Sequence, residues 1–349
     1  MKMKQKLFFF CFLSLVLLCI TTTSFWRLNL IQQQLNKQKC DEGQFLSKTQ
    51  TTSNQSTREN LNIEFLKEPD IYSQVLRRKN ENDTCDVTQK LVWNMVIFVK
   101  SAAANRDHRQ LIRQTWGSIK LIEGRRFFIV FVVGVNTKSQ LAINHEHEDF
   151  HDILQISQLD DYRYIGVKTL ASMKWASENL PYNFFYSTSD DDMWIDMLKL
   201  VGVITEYNNV VGERNWPEFP VICTYKFGED SVKPLRKPKD KNFIPREKYR
   251  WPYWPAFCFG GMYTTSVSTA KQLWEISQIS EPFLNVDDVW ITGLLRHKLG
   301  MPDEMIIKLD EPLAQHYKGF KNKEGKKLLE FKEWNDLSKR LEKISVCHF

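Results

Sequence analysis

Three consecutive aspartates, Asp190, Asp191 and Asp192, follow an apolar run in the stretch "NFFYSTSDDDMWID" (183–196). Adjacent carboxylates repel one another and cannot all be buried without cations or hydrogen-bond donors. A solvated loop is the ordinary interpretation of an acidic triplet, but here apolar residues confine it on both sides. Asp190 and Asp192 have the i, i+2 spacing that presents oxygen ligands to a hard divalent cation and leaves sites for phosphate oxygens. At this spacing the side chain of Asp191 points elsewhere.

Two chemistries use carboxylates at the end of a strand. One is phosphotransfer through an aspartyl nucleophile. The other holds a nucleotide diphosphate on a metal ion, which offsets the charge that builds on this leaving group. Nucleotide sugars play that part in secretory compartments, so the compartment of the chain decides between the two.

The N-terminus indicates a membrane anchor. Lys2, Lys4 and Lys6 precede the uncharged residues 7–26, and a helix of 20 residues spans about 30 Å, enough to cross a bilayer. A cleaved signal peptide has a similar basic start and apolar centre. Because the lysines precede the span, we predict a cytoplasmic tail at 1–6, a transmembrane signal-anchor at 7–26 and a lumenal remainder.

Residues 27–88 are rich in polar side chains and have little to pack, so we predict a lumenal stem. Glycosylation sequons at Asn54 and Asn82 agree with a lumenal position. The cysteines beyond the apolar span are Cys40, Cys85, Cys223, Cys258 and Cys347. Their number is odd, so at least one is free or bonds to another chain, and the sequence leaves the pairing open.

Residues 89–349 are enough for one large domain with a substantial core. Short apolar runs alternate with helical patterns at 106–117 and 165–180, which predicts an α/β fold with a mostly parallel sheet. The apolar runs are 91–99, 126–135, 152–156, 183–189, 220–225, 257–266 and 304–309. Ligands bind at the carboxyl ends of strands in such sheets, and the aspartate triplet lies at one of those ends.

Three polar segments have simpler interpretations. Residues 328–344 form an amphipathic pattern that predicts a closing helix. Residues 226–250 are basic and contain three prolines, which predicts a long surface loop. The "HEHE" at 145–148 is interpreted as a solvated helix. The net charge of +6 is modest for 349 residues, and together with the lumenal address it argues against a nucleic-acid partner.

Six blocks in order resemble the β-1,3-galactosyltransferase / β-1,3-N-acetylglucosaminyltransferase family of Golgi enzymes. They are "RQLIRQTWG" (109–117), "FFIVFVVG" (127–134), "EDFHDILQISQLDDYRYIGVKTL" (148–170), "STSDDDMWID" (187–196), "WPYWPAFCFGGMYTTS" (251–266) and "VDDVWITGLL" (286–295). The residues before the triplet (187–189), those before Lys168 (164–166) and Ala256-Phe257 depart from the family pattern. These departures affect the expected acceptor more than the expected reaction.

The resemblance implies a GT-A type, Rossmann-like nucleotide-sugar-binding domain that uses Mn²⁺ and a UDP-sugar. Asp190 and Asp192 correspond to the metal-binding D-x-D pair, and His316 matches a late histidine that helps to hold the metal. Donor-binding positions are Arg109, Arg113, Lys168, Asp190 and Asp191. The two arginines are spaced to share one helix face and could meet phosphates, although ion pairs with acids are the alternative.

The resemblance further implies an inverting transfer in which Asp288 takes the proton from the acceptor hydroxyl. Asp287 and Asp288 also precede an apolar helical run, so an N-cap is the other interpretation of this pair. The acceptor-binding residues would be Trp251, Tyr253, Trp254, Gly260, Gly261 and Asp287. Aromatic faces stack against sugars, and glycines let backbone approach a ligand.

The expected protein is a type II Golgi membrane enzyme that moves a hexose, galactose first, from a UDP donor in β-1,3 linkage onto a glycan of a protein or lipid. UDP-N-acetylglucosamine and UDP-N-acetylgalactosamine are alternative donors. A catalytically silent, lectin-like or chaperone subunit of a transferase complex is an alternative of another class. The sequence leaves open whether the chain forms homo- or hetero-oligomers.

Overall fold

The structure is a computed structural model that describes residues 62–73, 91–214, 218–280, 283–316, 332–342 and 346–348. The predicted anchor, most of the predicted stem and the sequons at Asn54 and Asn82 lie outside these residues. None of the helices in the described ranges is both long and apolar enough to span a bilayer.

Strands account for most of the buried framework. Their bounds are β1 (Phe65–Lys67), β2 (Trp93–Lys100), β3 (Ile119–Ile122), β4 (Arg125–Val135), β5 (Ile153–Leu159), β6 (Phe185–Asp190), β7 (Met193–Ile195), β8 (Val221–Cys223), β9 (Lys226–Phe227), β10 (Phe257–Cys258), β11 (Met262–Ser266), β12 (Ile306–Lys308), β13 (Ala314–His316) and β14 (Val346–His348). The predicted run 257–266 is two strands, separated at residues 259–261.

The helices lie between these strands. They are α1 (Arg106–Gln114), α2 (Gln140–Phe150), α3 (Ile165–Asn179), α4 (Met197–Arg214), α5 (Val267–Gln278), α6 (Arg296–Lys298) and α7 (Lys332–Leu341). A π-helix, Val289–Leu295, continues directly into α6. The predicted helices at 106–117 and 165–180 are therefore present with shorter bounds. Helix α7 lies within the predicted helix 328–344, of which residues 328–331, 343 and 344 lie outside the described residues.

The main sheet has the strand order β1-β5-β4-β2-β6-β11-β8-β12, and β3 pairs with β4 and β14. Strands β5, β4, β2 and β6 are parallel, whereas β11 runs antiparallel to both of its neighbours. The fold is thus α/β with a mixed sheet, whereas a mostly parallel sheet was predicted. Because β11 is reversed, its first residues lie at the same edge as the last residues of β6.

The alternation of side chains along β2 divides the core into two layers. Val96 and Phe98 pack on one face of the sheet, and Met95, Ile97 and Val99 pack on the other. All five residues are fully buried. The core on both faces of β2 excludes water, so a charged side chain at the end of this strand needs a partner of opposite charge or a hydrogen bond.

The domain begins before the predicted boundary at residue 89. Strand β1 pairs antiparallel with β5, and the neighbouring Ile63 and Ile71 are buried. Part of the predicted stem is therefore packed on the domain. A disulfide joins Cys223 at the end of β8 to Cys258 in β10, a pairing that the sequence left open.

Candidate active site

The site is built on the register of β2 and β6, which places Lys100 directly opposite Asp190. Lys100 Nζ lies 3.0 Å from Asp190 Oδ1 and 2.9 Å from Asp287 Oδ2, and it donates to the carbonyl oxygen of Gly260 at 3.0 Å. Burial alone would lower the pKa of Lys100, but the two carboxylates outweigh it and raise the pKa. One buried ammonium therefore joins the aspartate triplet to the Asp287-Asp288 pair.

Asp190 is largely enclosed, with 29% of its side chain exposed. Burial raises the pKa of Asp190 to about 6, and Asp287 and Asp192 act in the same direction while Lys100 opposes them. Its backbone N–H donates to Gly261 O at 3.0 Å, so the start of β11 fixes the end of β6. The carboxylate thus has a positive neighbour on its buried side and an opening on the other.

Asp191 turns away from this opening, as its spacing predicted. Its carboxylate accepts from Ser101 Oγ at 2.7 Å and from Asn105 Nδ2 at 2.9 Å, and His108 Nδ1 lies 3.4 Å away. These hydrogen bonds outweigh burial and lower the pKa of Asp191. Its donor-binding role stays a prediction, and in this conformation its carboxylate secures the turn between β6 and β7.

Asp192 and His316 are brought together by the pairing of two short strands. Strand β13 runs antiparallel to β7 with His316 opposite Met193. Asp192 Oδ1 and His316 Nδ1 are 3.3 Å apart, and both side chains are about half exposed. Trp116 supports this turn, because its buried indole N–H donates to Met193 O at 3.1 Å.

No group of three or more His, Cys, Asp or Glu side chains that could hold a metal ion is found in the described part of the chain. The predicted ligands are therefore arranged as one close pair, Asp192 with His316, and a separate carboxylate, Asp190. A carboxylate suits Mn²⁺, and the imidazole of histidine is the commonest metal ligand of proteins.

Asp287 belongs to the buried side of the site. Its Oδ2 accepts from Lys100 Nζ and from Thr169 Oγ1, the latter at 3.0 Å. Gly166 leaves room for it, since a Cβ at that glycine would lie 3.3 Å from Asp287 Cβ. The predicted contact of Asp287 with the acceptor stays a prediction, and in this structure its carboxylate makes these two internal contacts.

Asp288 lies beside Asp287 and is less buried. Its Oδ1 accepts from its neighbour Val289 N at 2.8 Å, at the start of the π-helix, and its Oδ2 accepts from Gly260 N at 3.2 Å. Burial and the charge of Asp287 raise the pKa of Asp288 to about 7, against these hydrogen bonds and Lys100. A carboxylate with this pKa can take and release a proton near neutral pH.

The two glycines before β11 are required by close packing. A Cβ at Gly260 would lie 3.0 Å from Asp288 Cβ and 3.2 Å from Asp288 Oδ2. A Cβ at Gly261 would lie 2.5 Å from the ring of Phe259, closer than real contacts allow. Gly260 therefore determines where the Asp288 carboxylate stands.

Arg109 and Arg113 meet acids of the protein, which was the alternative to phosphate binding. The guanidinium of Arg109 is fully buried and forks onto Glu146 at 2.7 and 2.8 Å. Arg113 bridges Glu146 at 2.8 Å and Asp152 at 2.7 Å. Phosphate contact by either arginine stays a prediction, and the described contacts hold α1 against α2 and β5.

The interpretation of "HEHE" (145–148) as a solvated helix is wrong for Glu146. That side chain is completely buried in α2. Burial raises its pKa, but Arg109 and Arg113 lower it by more, so the net shift is downward. The signal was present in the sequence, because Glu146 is spaced three residues from Ile143 and four from Phe150, on the apolar face of the helix.

Lys168 lies on the first turns of α3 and is also buried. Its Nζ donates to Ser101 O at 2.8 Å and pairs with Asp160 Oδ1 at 2.5 Å. Asp160 Oδ2 in turn accepts from Ala103 N at 2.6 Å. The donor contact predicted for Lys168 is untested; its present role is to tie the end of β2 to the end of β5.

The aromatic residues of the 251–266 block separate into exposed and packed positions. Trp251 is 48% exposed and lies under the guanidinium of Arg250. Tyr253 is half-buried next to Lys233. Trp254 is buried against Tyr249, with ring centroids 4.3 Å apart. Trp251 is exposed and Tyr253 is partly exposed, and their contact with the acceptor stays a prediction, whereas Trp254 packs in the core.

Lys100 was missed by the sequence reasoning, although its signal resembles that of Asp190. It is the last residue of the apolar run "LVWNMVIFVK" (91–100), and a charge at the end of a buried strand marks the edge where parallel sheets bind ligands. Thr169 carried no comparable signal. Its contact with Asp287 depends on the packing of α3 against the segment that precedes the π-helix.

Comparison with known proteins relates the chain to a family of transferases. A family model described as Galactosyltransferase matches residues 107–306. The chain is similar to lactosylceramide 1,3-N-acetyl-beta-D-glucosaminyltransferase of Rattus norvegicus, with 27% identity over 230 residues, 64% of this chain and 58% of that protein. It is also similar to beta-1,3-galactosyltransferase 5 of Homo sapiens, with 27% identity over 223 residues, 63% of this chain and 66% of that protein.

The chain spans less than two thirds of the length of either relative. Among solved structures, mouse xyloside xylosyltransferase 1 in its apo form matches with a TM-score of 0.31 and 11% sequence identity. That match covers 62% of this chain and 85% of the other.

Proposed function

The chain belongs to the galactosyltransferase family, and from this membership we propose that it is an inverting, metal-dependent glycosyltransferase with a fold of GT-A type. It would move a hexose, galactose first, from a UDP-sugar in β-1,3 linkage onto a glycan of a glycoprotein or glycolipid. Membership in the family is carried by the match over residues 107–306.

One observation carries the proposal about mechanism: Lys100 pairs with both Asp190 and Asp287 at the carboxyl edge of the sheet. On the Asp190 side, the turn that follows β6 exposes Asp192 next to His316. On the Asp287 side, Asp288 stands against the N–H of Gly260. Two sets of acids with different surroundings suit two tasks, one for the leaving group and one for the attacking hydroxyl.

The donor side would be formed by Asp190, Asp192 and His316. Asp192 and His316 would hold Mn²⁺, and Asp190, held by Lys100, would face the nucleotide. When bound, the ion would supply positive charge next to the departing diphosphate. Asp191 keeps the turn in place through its hydrogen bonds to Ser101 and Asn105.

The acceptor side would be formed around Asp288. Its carboxylate would take the proton from the acceptor hydroxyl as the oxygen of that hydroxyl bonds to the anomeric carbon. The bond from the anomeric carbon to the diphosphate oxygen breaks on the opposite face, so the configuration inverts. The pKa of about 7 keeps Asp288 basic enough for this transfer and largely ionised at slightly alkaline pH.

The subcellular location of the enzyme is proposed from the sequence. The uncharged span 7–26 behind three lysines would anchor a type II protein in the Golgi membrane, with the catalytic domain in the lumen. The sequons at Asn54 and Asn82 support the lumenal side, and so does the disulfide between Cys223 and Cys258.

A donor panel tests the proposal. The full-length chain, solubilised in detergent with Mn²⁺, is assayed with UDP-galactose, UDP-N-acetylglucosamine and UDP-N-acetylgalactosamine on neutral and charged oligosaccharide acceptors. We expect transfer from one of these donors, with a β-1,3 linkage identified by NMR of the product. The Asp288→Asn protein is the control for contaminating activity. Absence of both transfer and UDP-dependent thermal stabilisation would refute the proposal and favour a silent subunit.

A further inference from the structure

Most of the net positive charge of the chain lies in one loop. Residues 226–250, here called the basic loop, contain nine lysines and arginines and four acids, a net charge of +5. The whole chain carries +6, so the other 324 residues contribute only +1. Seven of the nine basic side chains are exposed: Lys233, Lys237, Lys239, Lys241, Arg246, Lys248 and Arg250.

The basic loop has a defined shape. The disulfide between Cys223 and Cys258 closes the segment that contains it, and β9 pairs with β10 inside that closure. Arg236 donates to the carbonyl oxygens of Ile244 and Trp251, both at 2.8 Å, which folds the loop onto itself. The exposed charges are therefore carried on a braced framework.

The loop also contacts the segments that hold the Asp287-Asp288 pair. The carbonyl oxygen of Lys241 accepts from Asn285 Nδ2 at 3.4 Å, two residues before Asp287. Lys241 Nζ lies 4.2 Å from the ring centroid of Tyr162, which precedes α3. Because α3 supplies Thr169 to Asp287, the loop borders the acceptor side of the site.

Within the described part of the chain, none of the seven exposed basic side chains forms an ion pair with an acid. The ion pairs found there involve other residues, among them the Lys100, Arg109 and Lys168 clusters. Like charges kept together cost free energy through mutual repulsion. An anionic ligand that arrives at this edge would relieve that repulsion.

We infer that the basic loop binds an anionic group, a carboxylate or a sulfate ester, on the acceptor glycan. The inference rests on the proposed transfer and narrows its acceptor class. In this arrangement, the part of the acceptor that bears the anion lies against the basic loop while the attacking hydroxyl lies at Asp288. Electrostatic attraction of this kind raises the association rate and weakens with salt.

The test compares matched acceptors on the full-length protein. Two oligosaccharides are used that differ only by one sulfate ester or one glucuronic acid carboxylate. We expect the charged acceptor to have a KM about tenfold lower than the neutral one at low salt. This difference should shrink in 300 mM NaCl, because the Debye length is then shorter than its value of about 8 Å at physiological ionic strength.

Charge reversal locates the effect. Lys237→Glu with Lys239→Glu should raise the KM of the charged acceptor about tenfold and leave the KM of the neutral acceptor and of the UDP-sugar within twofold. The control, Lys308→Glu with Lys339→Glu, makes the same charge change at exposed positions outside the loop. Equal effects of the two double variants would overturn the inference.

Other outcomes are equally decisive. A rise in the KM of the UDP-sugar alone would mean that the loop serves the donor diphosphate, which contradicts the inference. If no acceptor is glycosylated, the proposed function fails, and calorimetric titration of the sulfated oligosaccharide then decides about the loop. Binding that the loop variant loses and the control keeps would support it, and no binding would refute it.

Discussion

Lys100 Nζ lies 2.9 Å from Asp287 Oδ2, at the buried end of β2, whose other residues carry no charge. The contact places a lysine of β2 between the two sets of acids, since Asp190 approaches the same nitrogen at 3.0 Å. Neither carboxylate has another cation in contact among the described residues. The position of both acids therefore depends on Lys100.

Lys100→Met tests this dependence, because methionine keeps the length of the chain and removes the charge. Loss of one partner leaves two poorly hydrated carboxylates unpaired, which should cost about 3 kcal/mol of unfolding free energy. The measurement is denaturant unfolding together with kcat and KM of the refolded protein. Lys138→Met, at an exposed lysine, is the control. Unchanged stability and kcat would contradict the bridging role.

Asp288→Asn should lower kcat by about a thousandfold, the usual contribution of a general base, while binding of UDP stays intact. In the parent protein, kcat/KM should rise with pH through about 7 and then level, because the base must be ionised and its pKa is raised by burial and by Asp287. The variant should lose this limb of the profile. A parent profile that is flat from pH 5 to 8 would exclude Asp288 as the base.

Gly260→Ala should displace Asp288 without changing any titratable group. The added methyl would meet Asp288 Cβ at 3.0 Å and Oδ2 at 3.2 Å, so the carboxylate must move. Because small misplacements of reacting groups are costly, kcat should fall about tenfold or more. Gly202→Ala, in α4 and outside the site, is the matched control, since no atom lies within 4 Å of its added Cβ. Equal activity of the two variants would contradict the packing argument.

The predictable part of the site was local in sequence. The placement of Asp190 at a strand end and the inward turn of Asp191 follow from a period of two and from an apolar run. The reversal of β11 could not be predicted in this way, because the direction of a strand depends on its neighbours in the sheet. That reversal brings Gly260 beside Asp288 and next to the end of β6.

The contact of Asp192 with His316 was implied by the family resemblance but not by any local pattern. It requires β7 and β13, each three residues long, to pair in a separate two-stranded sheet. Glu146 shows the opposite case, in which the pattern was informative and was outweighed by composition. A polar tetrapeptide suggested solvent, although the spacing from Ile143 placed the carboxylate inside.

Glu146→Gln tests whether the arginine cluster is structural. The change keeps the shape of the side chain and removes the negative charge shared by Arg109 and Arg113. With two guanidinium groups left underneutralised in the core, the unfolding free energy should fall by about 3 kcal/mol. Glu148→Gln on the exposed face of the same helix should change it by less than about 0.5 kcal/mol. Thermal unfolding of both variants checks this, and equal midpoints would disprove it.

Asp192→Asn and His316→Gln, made separately, should each raise the Mn²⁺ concentration for half-maximal activity by roughly tenfold, because each removes one of two adjacent donors. Binding of Mn²⁺ to the protein, followed by electron paramagnetic resonance in the presence of UDP, should weaken in parallel. The effect of the double variant should be smaller than the sum of the single effects, since the two side chains would share one ion. Asp336→Asn, at an exposed acid of α7, is the control. Full Mn²⁺ affinity in either single variant would move the metal site away from this pair.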